Sequence, residues 1–144
     1  MGHTDDLLDG LAQTLTAAGV AKYPGPYVAD DTAIGLNGLP QQCDIAVAIT
    51  DYGTSDDYPD QALTTIRVQL RFRGRPNDRK SMLDLRDAAY YALQNLTNEV
   101  MGTAFLIQCL RISSVPLGQD DLDRWEMTDN YSIDLQTPAT TARH

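Results

Sequence analysis

Histidine is almost missing from this chain: its two copies are His3 and His144, close to either end. A histidine must sit inside a folded pocket to serve as base or ligand. Ser-His and Cys-His pairs and most zinc arrangements are therefore excluded together. Cysteine is just as scarce. Cys43 and Cys109 are too few and too far apart for a secreted disulfide framework and form no CxxC pair, which points to two small buried hydrophobes in a reducing compartment. No GxxxxGKS/T or GxGxxG sequence occurs, so the usual glycine-rich phosphate cradles are absent. No stretch approaches the roughly 18 apolar residues of a membrane-spanning helix. Asp5 and Asp6, with no basic segment before them, do not read as a secretion signal. The expectation is a product made and assembled in the cytoplasm, with no membrane partner.

Lysine is also rare. Of 11 cationic residues only Lys22 and Lys80 are lysines, and the formal net charge is −9. A surplus of acid argues against simple nucleic-acid binding, which depends on cations neutralising phosphates. Arginine, by contrast, suits bidentate pairing across protein interfaces.

What the chain does have is an ordinary globular composition: 144 residues, 42% hydrophobic and 22% charged. That is enough for one domain whose folding needs neither disulfide nor metal. The expected organisation is a single domain over residues 1–137 and a flexible tail over 138–144.

Thr4, Asp5 and Asp6 open a helix over about 4–18. Leu7, Leu8, Leu11, Leu15 and Ala18 share its apolar stripe, and Gly19 ends it. From Ala21 to Gln42, prolines and glycines break any period, leaving short extended pieces near Pro26–Ala29 and Ala33–Leu36. Cys43–Thr50 reads as a strand. The clearest strand alternates Ile66, Val68, Leu70 and Phe72 with Arg67, Gln69, Arg71 and Arg73. Asn77 or Asp78 then caps a second helix bearing Met82, Leu85, Ala89, Ala92, Leu93 and Leu96 on one side. Strands follow over about Ala104–Val115 and Trp125–Gln136, with Leu117–Arg124 as the hairpin loop between them. Asp129 interrupts the apolar row of the last strand, the mark of an edge or a bulge. The order implies an α+β domain: a four-stranded, mainly antiparallel sheet with two helices packed on one face.

Carboxylate clusters are the remaining candidates for chemistry: Asp51, Asp56, Asp57 and Asp60 in one loop, and Asp120, Asp121 and Asp123 in the hairpin loop. Paired carboxylates can hold Mg²⁺ for a metal-dependent phosphoesterase. Aspartate is equally favoured in turns for bonding its own backbone, and neither cluster matches a calcium loop. No catalytic residue, metal or cofactor is assigned. Arg67, Arg71 and Arg73 admit three readings: a nucleic-acid groove, though no aromatic residues alternate with them for stacking; a solvated sheet face; or a subunit interface. The acidic excess lies in two loops and the basic residues on one strand, which favours arginines of one copy meeting acidic loops of the next.

Gly38-Leu39-Pro40-Gln41-Gln42-Cys43-Asp44 leads into the first strand, which ends at Asp51-Tyr52. Ile66-Arg67-Val68-Gln69-Leu70-Arg71-Phe72-Arg73-Gly74 and a helix come next. The chain closes with Pro116-Leu117-Gly118-Gln119-Asp120, Arg124-Trp125-Glu126 and Asn130-Tyr131-Ser132-Ile133. In this order and spacing, over about residues 5–136, they resemble the minor capsid or tail terminator family of long-tailed bacteriophages, particularly those of actinobacterial hosts. Serial order carries the resemblance; Cys43 stands where the pattern leads one to expect a second proline. The resemblance implies a structural virion protein of the neck, not an enzyme: a homo-hexameric ring that caps the tail tube protein, ends its polymerisation and docks to the head-side connector or stopper protein, with DNA passing through unread. On this reading the 51–60 stretch would face the lumen or an axial neighbour, and the 120–123 loop would make contacts. Another neck component, a head-completion or stopper protein, is the alternative within the same class.

Overall fold

The computed structural model describes residues 3–54, 63–94 and 96–136. The elements run α1 (His3–Ala17), β1 (Ala33–Leu36), β2 (Ala46–Thr54), β3 (Leu63–Pro76), α2 (Arg79–Gln94), β4 (Thr97–Met101), β5 (Ala104–Gln119) and β6 (Arg124–Gln136). The expected tail over 138–144 and Asp56, Asp57 and Asp60 lie outside the described residues.

The sheet has six strands in the order β1-β2-β3-β6-β5-β4, with β1 parallel to β2 and the other pairings antiparallel. This corrects the expected four-stranded, mainly antiparallel sheet: the domain is α+β, but around a six-stranded mixed sheet. The two additional strands have a physical reason for being hard to see. β1 is four residues long and contains Gly35. β4 exposes four of its five residues, so it shows no apolar alternation to read.

The sheet also curls. Relative to β6, strand β5 carries an extra residue at three places, between Leu106 and Gln108, Arg111 and Ser113, and Pro116 and Gly118. Each bulge bends its strand and increases the twist. The result is a half-barrel whose hollow takes both helices, with α1 touching strands toward both ends of the sheet. Leu7, Leu11 and Leu15 of α1 and Met82, Ala89 and Leu93 of α2 join Val47, Ile49, Val68, Leu70, Phe72, Leu106, Ile133 and Leu135 in one buried core. Each of these side chains larger than Ala89 contributes roughly 1.5–3 kcal/mol when fully buried.

Local chemistry sets the helix ends. Gly19, at φ 77°, closes α1, where the N–H of Val20 donates to Leu15 O at 2.9 Å and that of Gly19 to Thr16 O at 3.0 Å. Asp78 caps α2 by accepting the Ser81 N–H at 3.2 Å. Asp6 reaches across to the β4–β5 turn and accepts the N–H and hydroxyl of Thr103 at 2.8 and 2.6 Å. Gly102 in that turn has φ 60°, and a Cβ there would lie 2.6 Å from Asp6 Cγ. The turn thus requires glycine twice over, for its conformation and for the approach of α1.

Candidate assembly surface

The outer face of the curled sheet carries the side chains that alternation places opposite the core. On its β3 and β6 rows Thr65 donates to Asp134 at 2.7 Å, and Gln69 donates to Asn130 at 3.1 Å. Asn130 in turn donates to Ser113 on β5 at 2.9 Å. Cross-strand pairs of this kind each contribute roughly 0.2–1 kcal/mol.

The three arginines of β3 share a face but have different fates. Arg67 is exposed, and it forms no hydrogen bond or ion pair among the described residues. Arg71 is half exposed and pairs with the carboxylate of Glu126, which accepts its Nε–H at 2.6 Å. Arg73 is only 2% exposed. Its Nε donates to Asp44 O at 2.9 Å, and its Nη2 donates to Pro40 O at 2.7 Å and to Cys43 O. Burial, and then the neighbouring Arg124, lower its pKa from the ordinary arginine value. Its guanidinium is committed within the chain, so Arg67 and Arg71 are the members of the row that face solvent.

The acidic positions separate in the same way. Asp120 accepts the N–H groups of Leu122 and Arg124 at 2.9 Å each and the Arg124 Nε–H at 2.8 Å. Burial opposes its ionisation, but these N–H groups and the Arg124 charge outweigh it, and the carboxyl lies below its usual value. Arg124 also reaches Asp44 at 3.2 Å. Asp121 and Asp123 are exposed at the tip of the β5–β6 hairpin, and Asp51 is exposed on β2. A groove of about 390 Å³ runs between Arg71, Arg73, Arg124, Glu126 and the 37–41 loop. Three arginines and two carboxylates, Asp120 and Glu126, line it; Arg71 pairs with Glu126 and Arg124 with Asp120, while Arg73 is held by carbonyl oxygens. Among the described residues no three His, Cys, Asp or Glu side chains converge as a metal site.

One polar cluster was not foreseen. Asp129 is fully buried on the inner face of β6, a strand inside the sheet and not at its edge, although a β5 bulge lies beside its partner Ser114. It pairs with Arg86 of α2 at 2.8 Å and Arg111 of β5 at 3.4 Å, and accepts the Ser114 hydroxyl at 2.6 Å. Arg111 in turn stacks 3.9 Å over the Tyr90 ring. This cluster ties α2 to the centre of the sheet. Its only sequence signal was the polar interruption itself.

The outer side of the sheet thus offers paired or solvated charges, a curled face and an exposed hairpin tip. A family model described as bacteriophage tail terminator protein matches residues 15–137. The chain belongs to that family. No curated protein matches the chain. Membership makes it a structural component of the phage tail, which acts by contact with other tail components. Residues 15–137 include Arg67, Arg71, Arg73 and all seven aspartates singled out from the sequence.

Proposed function

We propose that this tail terminator works as a homo-hexameric ring at the head-proximal end of the tail. The ring covers the last layer of tail tube protein, stops its polymerisation and presents its other side to the head connector or stopper, while DNA passes through the lumen. The match to the terminator family over most of the chain carries this reading. The split of charge supports it. Arg67 and Arg71 stand on the outer face of β3, whereas Asp121 and Asp123 stand at a hairpin tip. Such a surface can meet a copy of itself head to tail, and a contact of that kind closes into a ring when its rotation divides the circle. Asp51 and the following Asp56, Asp57 and Asp60 are assigned to the lumen or an axial neighbour. An acidic lining repels phosphate over the roughly 8–10 Å that salt leaves unscreened, so DNA slides without adhering.

A terminator must bind the tube end more tightly than another tube ring does, and each 1.4 kcal/mol of that preference gives about a tenfold bias toward capping. Deleting the gene should yield filled heads without tails beside tubes of abnormal, mostly excessive length in electron micrographs. Tails of normal, uniform length together with heads that leak DNA would replace this reading with that of a head-side stopper.

A further inference from the structure

The sheet is not covered equally along its margins. Beyond Gln108, β5 has no strand partner on the side away from β6 among the described residues, because β4 pairs only with its first part. Among the described residues, six of the nine exposed large apolar side chains lie along this margin: Val100 on β4, Leu110, Ile112, Val115 and Leu117 on β5, and Leu122 at the hairpin tip, 41–74% exposed. A concentration of this kind on one margin marks a contact surface, since soluble chains normally scatter such residues singly. Two of the six, Ile112 and Leu117, are the extra residues of bulges, and Pro116 between them has no N–H to give. Bulges and proline discourage the addition of another strand. Whatever covers this edge docks on side chains.

We propose that the occupant is a second copy of this chain, the hairpin edge of one copy lying on the outer face of the next near Arg67 and Tyr52. The inference rests on the ring reading and identifies the surface that builds the ring. Charge complementarity selects the partner. Leu122 stands exposed between the exposed Asp121 and Asp123, and Arg67 stands opposite Gly53, beside the 48%-exposed Tyr52. A leucine flanked by carboxylates complements an arginine beside an aromatic ring. One chain cannot make this contact with itself. Arg67 pairs across to Ser132, and the hairpin tip begins before Trp125, a separation along β6 of about 23 Å at roughly 3.3 Å per residue. The two patches differ, so the contact is head to tail and repeats from copy to copy.

The test uses whole phage whose own gene is deleted and supplied in trans. Leu122→Cys combined with Arg67→Cys should, on mild oxidation of intact particles, give a ladder of cross-linked copies, and neither single change should. The native Cys43 and Cys109 are buried and do not compete. Val115→Asp with Leu117→Asp should melt as the parent does yet join at least about tenfold fewer tails, the loss expected when apolar contacts at every subunit junction are removed. The proposal is overturned if the cysteine pair gives no ladder in particles that assemble, if it links to the tube subunit instead, or if the doubly acidic variant folds and assembles at the parental level. Should that variant fail to fold, the cross-link alone decides. Tail length in the deletion strain tests the ring reading separately, so either idea can fail without the other.

Discussion

The two margins of the sheet are treated in opposite ways. On the β1 side the chain seals its own edge. The Lys22 N–H donates to Thr32 O at 2.7 Å, the Ile34 N–H to Lys22 O at 3.0 Å, and the Tyr27 hydroxyl to Ile34 O at 2.5 Å. Arg73 then ties down the carbonyls of the 40–44 segment behind β1. On the β5 side, beyond Gln108, no strand covers the margin among the described residues, and it is studded with apolar side chains. An unpaired strand edge is a liability in a free monomer. One margin is closed by a long proline- and glycine-rich loop, and the other, among the described residues, is not; the proposed neighbouring copy would supply that cover.

The largest effect is expected from breaking the sealed edge. Arg73→Ala leaves the carbonyls of Pro40, Cys43 and Asp44 without their shared donor and empties a buried volume. It should cost roughly 2–4 kcal/mol, seen as a lower urea midpoint at unchanged slope. A loss below about 0.5 kcal/mol would mean that the loop holds itself in place.

Gly35→Ala comes next. A Cβ at this position would lie 2.0 Å from Gly38 O and 2.9 Å from Pro40 Cδ, so the loop must move off β1. Overpacking of this kind costs roughly 1–3 kcal/mol, readable as a drop in melting temperature. An unchanged melting point would show that the 38–40 turn yields freely.

The open edge should behave in reverse. Leu117→Lys touches a side chain that is 45% exposed, so its stability should stay within about 0.5 kcal/mol of the parent. Its harm should appear only in tail joining, and equal assembly of the variant and the parent would remove the contrast between the margins.

The smallest effect is electrostatic and touches both sides. Asp31 beside Lys22 and Asp120 at the hairpin tip both have carboxyl groups held below the ordinary value of 3.8. For Asp31 the Val28 N–H and Lys22 are the causes; for Asp120 the N–H groups and Arg124 overcome burial. A folded value below the unfolded one gives stability that is present above the ordinary carboxylate range and lost as pH falls through the folded value. Asp31→Asn and Asp120→Asn should therefore each lower the melting temperature near neutrality and flatten its decline below about pH 4. Parallel acid profiles for variant and parent would show that neither carboxylate contributes.

Much of the fold was legible because period and burial agree. Ile66, Val68, Leu70 and Phe72 alternate and all lie in the core, as do Met82, Leu85, Ala89 and Leu93 of α2, whereas Ala92 is partly buried and Leu96 lies beyond the helix end. β5 was harder to read. An extra residue about every five positions shifts the parity, so Leu110 and Val115 look like core residues yet lie outside. The candidate site was legible only to the level of the strand. Parity gives Arg67, Arg71 and Arg73 one face, but it cannot foresee that the 37–44 segment folds over Arg73 and leaves the other two in water. Asp129 presents the same difficulty: its neutralising partners, Arg86 and Arg111, lie 43 and 18 residues away in the chain. The cysteines followed the simple expectation. Both are buried, and burial pushes the Cys109 thiol up to about 12.

The position of β6 governs how the molecule comes into being. It is the last strand in chain order, yet it lies third from one edge of the sheet and fourth from the other, bonded to β3 along one side and β5 along the other. Until this segment has been made, nothing can join the strands β1-β2-β3 to the strands β4-β5 in one ladder. Such long-range pairing closes late and slowly. A chain cut short before residue 124 therefore has no continuous sheet on which to present the hairpin, whose second strand it also lacks. On the proposed function, only copies that carry β6 compete for a place at the end of a growing tail.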